Sequence, residues 1–241
     1  MPRARGMADI YDRIHRSGAQ VAGMIDFLVD LCPAGGRVLD LGVGTGRVAL
    51  RLAERGLRVY GMDSDPEMLA VLARQRGGDA ITAMVGDFTT DTVGHEVDLV
   101  VLAMNTLFAV PTQEGQIAAL TRAREQLADT GHVVLETFDP NVLYKQSFPA
   151  TAMRPLSATA VAFSTTYAHF PTQSAAAAFA VLDEDGVRTA SESGRYVWPS
   201  ELDLMARLAG LRRVERFGGW RREPVGDDAM VLVSVYVKDH R

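Results

Sequence analysis

The chain has 241 residues, of which 47% are hydrophobic and 23% charged, enough for one α/β domain with an insertion and unlike the composition of fibrous or disordered chains. Its formal net charge of −5 speaks against a nucleic-acid surface, since neutralising phosphates needs a concentrated basic face and only Arg212-Arg213 and Arg221-Arg222 cluster positive charge. The single cysteine, Cys32, excludes an intrachain disulfide and a cysteine metal cluster, which fits a reducing cytoplasm. The first twelve residues lack the apolar core of a secretion signal, and no stretch approaches a membrane span.

Taken in chain order, residues 1–36 read as a helical lid. Short β-branched runs then alternate with helical periodicity from 37 to 139, the pattern of βαβ units and a parallel sheet. Strands are expected at 37–41, 57–63, 80–87 and 97–105, each continuously apolar because parallel strands are covered on both faces. Between the first two, Val48, Ala49, Leu52 and Ala53 recur at helical spacing and Gly56 supplies a stop. After the second, Ser64 stands three residues before Glu67, with Pro66 near the helix start, and Met68, Leu69 and Leu72 form the apolar stripe. Residues 113–129 read as a longer helix and 132–139 as a fifth strand. From 140 to 197 the pattern turns to antiparallel strands at 160–170, 175–182 and 187–195, the last two joined by Asp183-Glu184-Asp185-Gly186. Ser200 caps a final helix, and strands at 212–220 and 230–238 close the sheet as a hairpin. The expected fold is α/β, a Rossmann-like sheet of seven mostly parallel strands with helices on both faces. Its last strand is antiparallel, and a β-rich cap occupies 140–197 between the two parts (1–139 and 198–241) of the sheet domain.

The first strand runs into Gly42-Val43-Gly44-Thr45-Gly46 and straight into a helix, so residues without a Cβ stand where backbone must turn tightly and approach a ligand. The second strand ends in Asp63, 17 residues beyond Gly46, where a carboxylate can accept from both hydroxyls of a ribose. The spacing GxGxG, with Arg47 following, disfavours the GxGxxG of dinucleotide folds. The third strand ends in Gly86-Asp87-Phe88, a carboxylate able to accept from an adenine amino group beside a ring able to stack on the base.

In the order LDLGVGTG, GMDSDPEML and GDF, the chain resembles the class I S-adenosylmethionine-dependent methyltransferases, over about residues 11–139. The resemblance implies S-adenosylmethionine as cofactor and S-adenosylhomocysteine as product. It implies that Gly42 and Gly44 approach the methionine part, with Gly46 in the same cofactor-binding loop and Asp40 supporting it, and that Asp63, with Ser64 beside it, holds the ribose. Met68 would pack near the adenine, Asp87 and Phe88 would meet its edge and face, Ala103 or Met104 would give backbone contacts, and Tyr11 would close over the cofactor. The stretch NTLFAVPTQEGQ at 105–116 and the β-rich insert look like the small-molecule branch that includes amino-sugar N-methyltransferases of natural-product biosynthesis. An Asn-Pro-Pro-Tyr signature of base- and glutamine-methylating enzymes is missing.

Methyl transfer is governed by positioning, so catalytic groups leave a weak imprint. An oxygen acceptor benefits from a base, for which His169 and His15 are candidates, and Asn105, a polar side chain closing an apolar strand, is a further catalytic candidate. Phe108, Glu136, Tyr167, Tyr196 and Trp198 are candidates for an aromatic acceptor pocket, together with Thr106, Asp139 and Arg195. The expected partner is a small-molecule acceptor, and a homodimer through the cap is a further expectation. Two other readings stay open at this point: a nicotinamide-dependent oxidoreductase, and a protein of the same fold that holds the cofactor without transferring its methyl group.

Overall fold

The structure is a computed structural model, and it describes residues 7–14 and 18–240. His15 lies outside the described residues. The elements are α1 (Met7–Ile14), α2 (Gly18–Asp30), β1 (Arg37–Leu41), α3 (Ala49–Glu54), β2 (Arg58–Asp63), α4 (Pro66–Arg74), β3 (Ile81–Val85), β4 (Val97–Leu102), α5 (Gln113–Gln126), β5 (Leu127–Phe138) and α6 (Asn141–Tyr144), then the cap strands β6 (Ala150–Ser157), β7 (Ala160–His169), β8 (Ser174–Asp183) and β9 (Gly186–Arg195), and finally α7 (Pro199–Leu208), β10 (Leu211–Phe217) and β11 (Val231–Lys238).

Seven strands form one sheet in the order β10-β11-β5-β4-β1-β2-β3. Only β11 runs against its neighbours, β5 on one side and β10 on the other. The chain leaves β1 through β2 to β3 and then crosses back to place β4 on the other side of β1. A crevice therefore opens at the carboxyl ends of β1 and β4, where ligands of open α/β sheets bind. Alternation within β1 explains why Val38, Leu39 and Leu41 are all apolar. Leu39 and Leu41 face a core with Leu120 and Ala123 of α5 and Met205 of α7, whereas Val38 faces Phe27 and Leu28 of α2 and Leu52 of α3. Each fully buried leucine contributes about 1.5–3 kcal/mol, which makes this strand the fixed frame for whatever its carboxyl end carries.

Caps differ from the expected ones in detail. At α4 the cap is Asp65, whose side chain accepts from Glu67 N–H at 2.9 Å, one residue later than the Ser64–Glu67 pairing suggests. At α7 it is Trp198, with Pro199 opening the helix and Ser200 inside the first turn. Helix α5 stops at Gln126 and strand β5 begins at once, earlier than periodicity indicated.

The cap is a four-stranded antiparallel sheet in the order β6-β7-β8-β9. Strand β6 was not expected: it is an edge strand carrying Pro155, with most of its residues exposed, so its sequence bears no clean alternation. Inward residues Ala162, Val181 and Ala190 pack on Ile10 and Ile14 of α1 and Met68 of α4. Polar ties reinforce this seam. Arg13 reaches Asp183 at 2.6 Å, Arg188 pairs with the same carboxylate, and the Arg154 guanidinium donates to the Ile14 carbonyl. The two guanidinium groups hold Asp183 below the usual carboxylate range. On the opposite face Met153, Phe163, Tyr167, Leu182 and Val187 are exposed. No helix among the described residues is long and apolar enough to cross a membrane.

Candidate active site

The glycine loop folds back on β2, with Gly42 and Val43 N–H groups donating to the Met62 carbonyl at 2.8 and 3.1 Å. Gly42, Gly44 and Gly46 all have positive φ, +74°, +55° and +89°, a region that side chains disfavour. Their surroundings differ. A Cβ at Gly46 would lie 2.2 Å from Leu72, and one at Gly42 would lie 2.6 Å from Thr106, so both are required by packing. At Gly44 a Cβ would meet no atom closer than 3.9 Å. That residue borders open space, as a backbone that cradles a ligand must.

Asp63 closes the loop from β2. Its two carboxylate oxygens accept from Gly44 N–H at 2.8 Å and Asp65 N–H at 2.9 Å. Each oxygen keeps a further lone pair, which suits a vicinal diol donating two hydroxyls. Burial pushes its pKa up against those hydrogen bonds. Asp40 lies wholly beneath the loop and accepts from Ala49 N–H. Burial, and then the charge of Asp63, push it to about 7. Ser64 follows directly, with its backbone N–H also turned to the Asp63 carboxylate.

Helix α1 lies across this loop. Thr45 Oγ1 donates to Asp12 at 2.8 Å, and Tyr11 Oη and Arg47 Nη1 both reach Met104 Sδ at 3.7 Å. The guanidinium carbon of Arg47 stands 5.6 Å from the centre of the Tyr11 ring, a cation–π distance. Burial raises the Tyr11 phenol to about 12, so it acts as a donor across the physiological range. Met68, buried in the seam between α4 and α1, forms the neighbouring wall.

After β4 the backbone turns through two consecutive left-handed residues, Met104 and Asn105 (φ 52° and 62°). Such a conformation costs a residue with a side chain about 1–2 kcal/mol and persists where neighbours enforce it. The enforcement is visible: Glu136 accepts from Met104 N–H at 2.6 Å, the Asn105 side-chain oxygen accepts from Phe138 N–H at 2.6 Å, and Thr106 Oγ1 donates to the Ala103 carbonyl at 2.7 Å. Burial raises the Glu136 pKa. Asn105 and Glu136, expected as a catalytic and an acceptor residue, thus brace the turn that presents Met104.

At the end of β3, Asp87 accepts from Thr89 N–H and Oγ1 at 2.9 and 2.7 Å. Partial burial pushes its pKa up, but these bonds outweigh it and hold the carboxylate below its ordinary range. Phe88 is buried beside Met62 and Leu41, so its ring is part of the core that supports this edge.

Beyond the turn after β4 the structure gathers aromatic rings. Phe108 stands edge-to-face on Phe138 at 4.9 Å, Phe138 lies 6.4 Å from Tyr196, and Tyr144 stacks near Trp198 at 5.5 Å and Phe170 at 4.2 Å. The Tyr144 and Tyr196 hydroxyls are 3.4 Å apart. Tyr167 and His169 do not join them, which corrects the expectation for both. Strand alternation puts odd-numbered residues of β7 on the outer face of the cap. Tyr167 is exposed there, and His169 bonds Thr172 at 2.8 Å through Nδ1. Sequence reading missed Phe138, Tyr144, Asp12 and Arg47. For Arg47 a signal existed, since it follows the last glycine directly.

Residues 38–131 match the model of a methyltransferase domain. Over 218 residues, 90% of this chain and 89% of the relative, the sequence is 30% identical to the cypemycin N-terminal methyltransferase of a Streptomyces species. The chain belongs to the S-adenosylmethionine-dependent methyltransferases. The CcbJ methyltransferase from Streptomyces caelestis superposes with a TM-score of 0.86 at 32% identity, covering 96% of both chains. S-adenosylmethionine-bound CalS10 from Micromonospora echinaspora, an amino pentose methyltransferase, shares the fold with a TM-score of 0.72 at 21% identity over 94% of both chains. The cofactor is S-adenosylmethionine, and the open side of Gly44 with the carboxylate of Asp63 beside it fits such a ligand.

Proposed function

We propose that this methyltransferase alkylates a nitrogen or oxygen of a small natural product, an amino sugar or another secondary metabolite. The observation that carries the reading is the closed seam: α1 is fastened at once to the glycine loop, to the turn after β4 and to the cap. A cleft so bounded admits a small molecule better than a folded macromolecule. The relatives support this, one being named for methylating the N-terminus of cypemycin and one for an amino pentose.

When bound, S-adenosylmethionine supplies a methyl carbon already activated by the sulfonium, so orientation and exclusion of water fall to the protein. In this reading Asp63 holds the ribose, Gly42 and Gly44 let the backbone approach the amino-acid part, and Asp87 meets the adenine edge. The left-handed turn at Met104 presents backbone to the cofactor, and Tyr11 covers it. Trp198, Phe138 and Tyr144, backed by the buried Phe108 and Tyr196, form the apolar wall against which an acceptor lies. The single cysteine supports a cytoplasmic enzyme.

Incubation with S-adenosylmethionine carrying a labelled methyl group, over amino sugars, free-amine peptides, phenols and hydroxylated metabolites, tests the proposal. Transfer of the label to a small amine or alcohol is expected. Label found only on protein or nucleic acid contradicts it.

A further inference from the structure

One carboxylate in the cleft is absorbed by none of the roles above. Glu192 lies on β9 between Ala190 and Gly194, on the inner face of the cap. Ala190 packs on Ile10, Ile14 and Met68. At Gly194 a Cβ would lie 1.8 Å from the Phe108 carbonyl oxygen, so that strand touches the backbone beyond the β4 turn. Glu192 is therefore held between the two elements that border the crevice, α1 with Tyr11 and the segment after Met104. Its charge is felt at the Tyr11 phenol. Across the inner face, β-sheet register sets it in a row with Ala177 and Thr166, and the next row holds Gly194, Ala175 and Ala168. Ala168 and Ala175 of that next row pack against the core of the sheet domain, which sets Glu192 at the edge of the seam.

Among the described residues Glu192 has neither a hydrogen bond nor an ion pair. Its side chain is open to solvent on one side, while the protein packed about it on β9 raises its pKa by partial desolvation. The charged groups about the neighbouring Tyr11 are Arg47, Asp12 and Asp40. Arg47, the one cation among them, is turned to the Tyr11 ring and Met104. A carboxylate partly removed from water without a cation is costly unless a ligand supplies one.

Resting on the methyltransferase reading, we infer that Glu192 is the anchor and proton acceptor for a cationic amine, which makes the acceptor atom a nitrogen. An ammonium acceptor enters as R–NH3+ and pairs with the carboxylate. One N–H bond breaks, its electron pair staying on nitrogen, and one O–H bond forms on Glu192, leaving neutral R–NH2 with the lone pair that transfer requires. The proton leaves to solvent through the open side of the cleft. A hydroxyl acceptor would bring no compensating charge.

Sinefungin tests this without an acceptor, because it carries a primary amine on the carbon that replaces the methyl-bearing sulfur. Calorimetric titration of sinefungin and S-adenosylhomocysteine should show sinefungin binding about tenfold tighter to the wild type, as expected for a charge-assisted pair. In Glu192→Gln that preference should vanish while affinity for S-adenosylhomocysteine stays within about twofold, and Glu192→Asp should keep part of it. An unchanged preference in Glu192→Gln, or a wild type that binds both ligands equally, overturns the inference. Loss of both ligands by the wild type would instead overturn the methyltransferase reading.

Discussion

At the residue scale the glycines of one loop carry different duties, and substitution separates them. Gly44→Ala adds a methyl group to open space at a left-handed φ. It should lower stability by about 1–2 kcal/mol and weaken S-adenosylhomocysteine binding at least about tenfold. Gly46→Ala drives a methyl group to 2.2 Å from Leu72 and should cost about 2–3 kcal/mol. Chemical denaturation paired with calorimetry separates the two outcomes. The motif was legible here because the chemistry demands it: small residues at the end of an apolar strand and an acidic residue closing the next. Glu192 was not legible as a site residue. A glutamate alternating with serines in an antiparallel strand looks like any solvated face until Ala190 and Gly194 are seen packing against the sheet domain.

At the element scale α1 lies across the glycine loop, and its sequence gives only its amphipathic character. Its docking depends on partners far along the chain, Thr45, Met104 and Asp183, so only the three-dimensional arrangement reveals it. Arg13→Ala removes the tie to Asp183, an ion pair with a partly buried carboxylate. Hydrogen exchange in α1 should accelerate by about tenfold, with the exchange of β1 and β4 unchanged. Equal protection in wild type and variant would show that the apolar seam of Ile10 and Ile14 holds the helix by itself. The parallel sheet followed from the alternation of apolar runs with helices, and the antiparallel β11 from the closing hairpin; the strand order is seen only in the fold. Strand β6 did not follow, because an exposed edge with a proline carries no burial pattern. Tyr167 and His169 were misplaced for a related reason: alternation tells which residues share a face but not which face meets the core.

At the scale of the whole molecule, a carboxyl group wholly buried under the cofactor loop ties stability to pH. Asp40 is raised to about 7, so in the folded chain it keeps a proton that the unfolded chain has already released above pH 4. Its contribution is neutral below the unfolded value, falls as pH rises towards 7 and is level thereafter. Asp40→Asn keeps an acceptor for Ala49 N–H without the charge, and should raise the melting midpoint of the ligand-free protein at pH 8 by about 4 °C and flatten its decline between pH 5 and 7. An unchanged pH profile would mean that Asp40 ionises as freely in the fold as outside it. In the proposed function the cleft recognises a ribose through Asp63 and an amino-acid tail through the glycine turn. The most direct measurement is a calorimetric titration of the wild type and Asp63→Ala with S-adenosylhomocysteine, and of the wild type with NAD. The account predicts one site for S-adenosylhomocysteine in the wild type, no measurable binding in Asp63→Ala and no heat with NAD. Binding of NAD at that site, or full affinity for S-adenosylhomocysteine in Asp63→Ala, would contradict it.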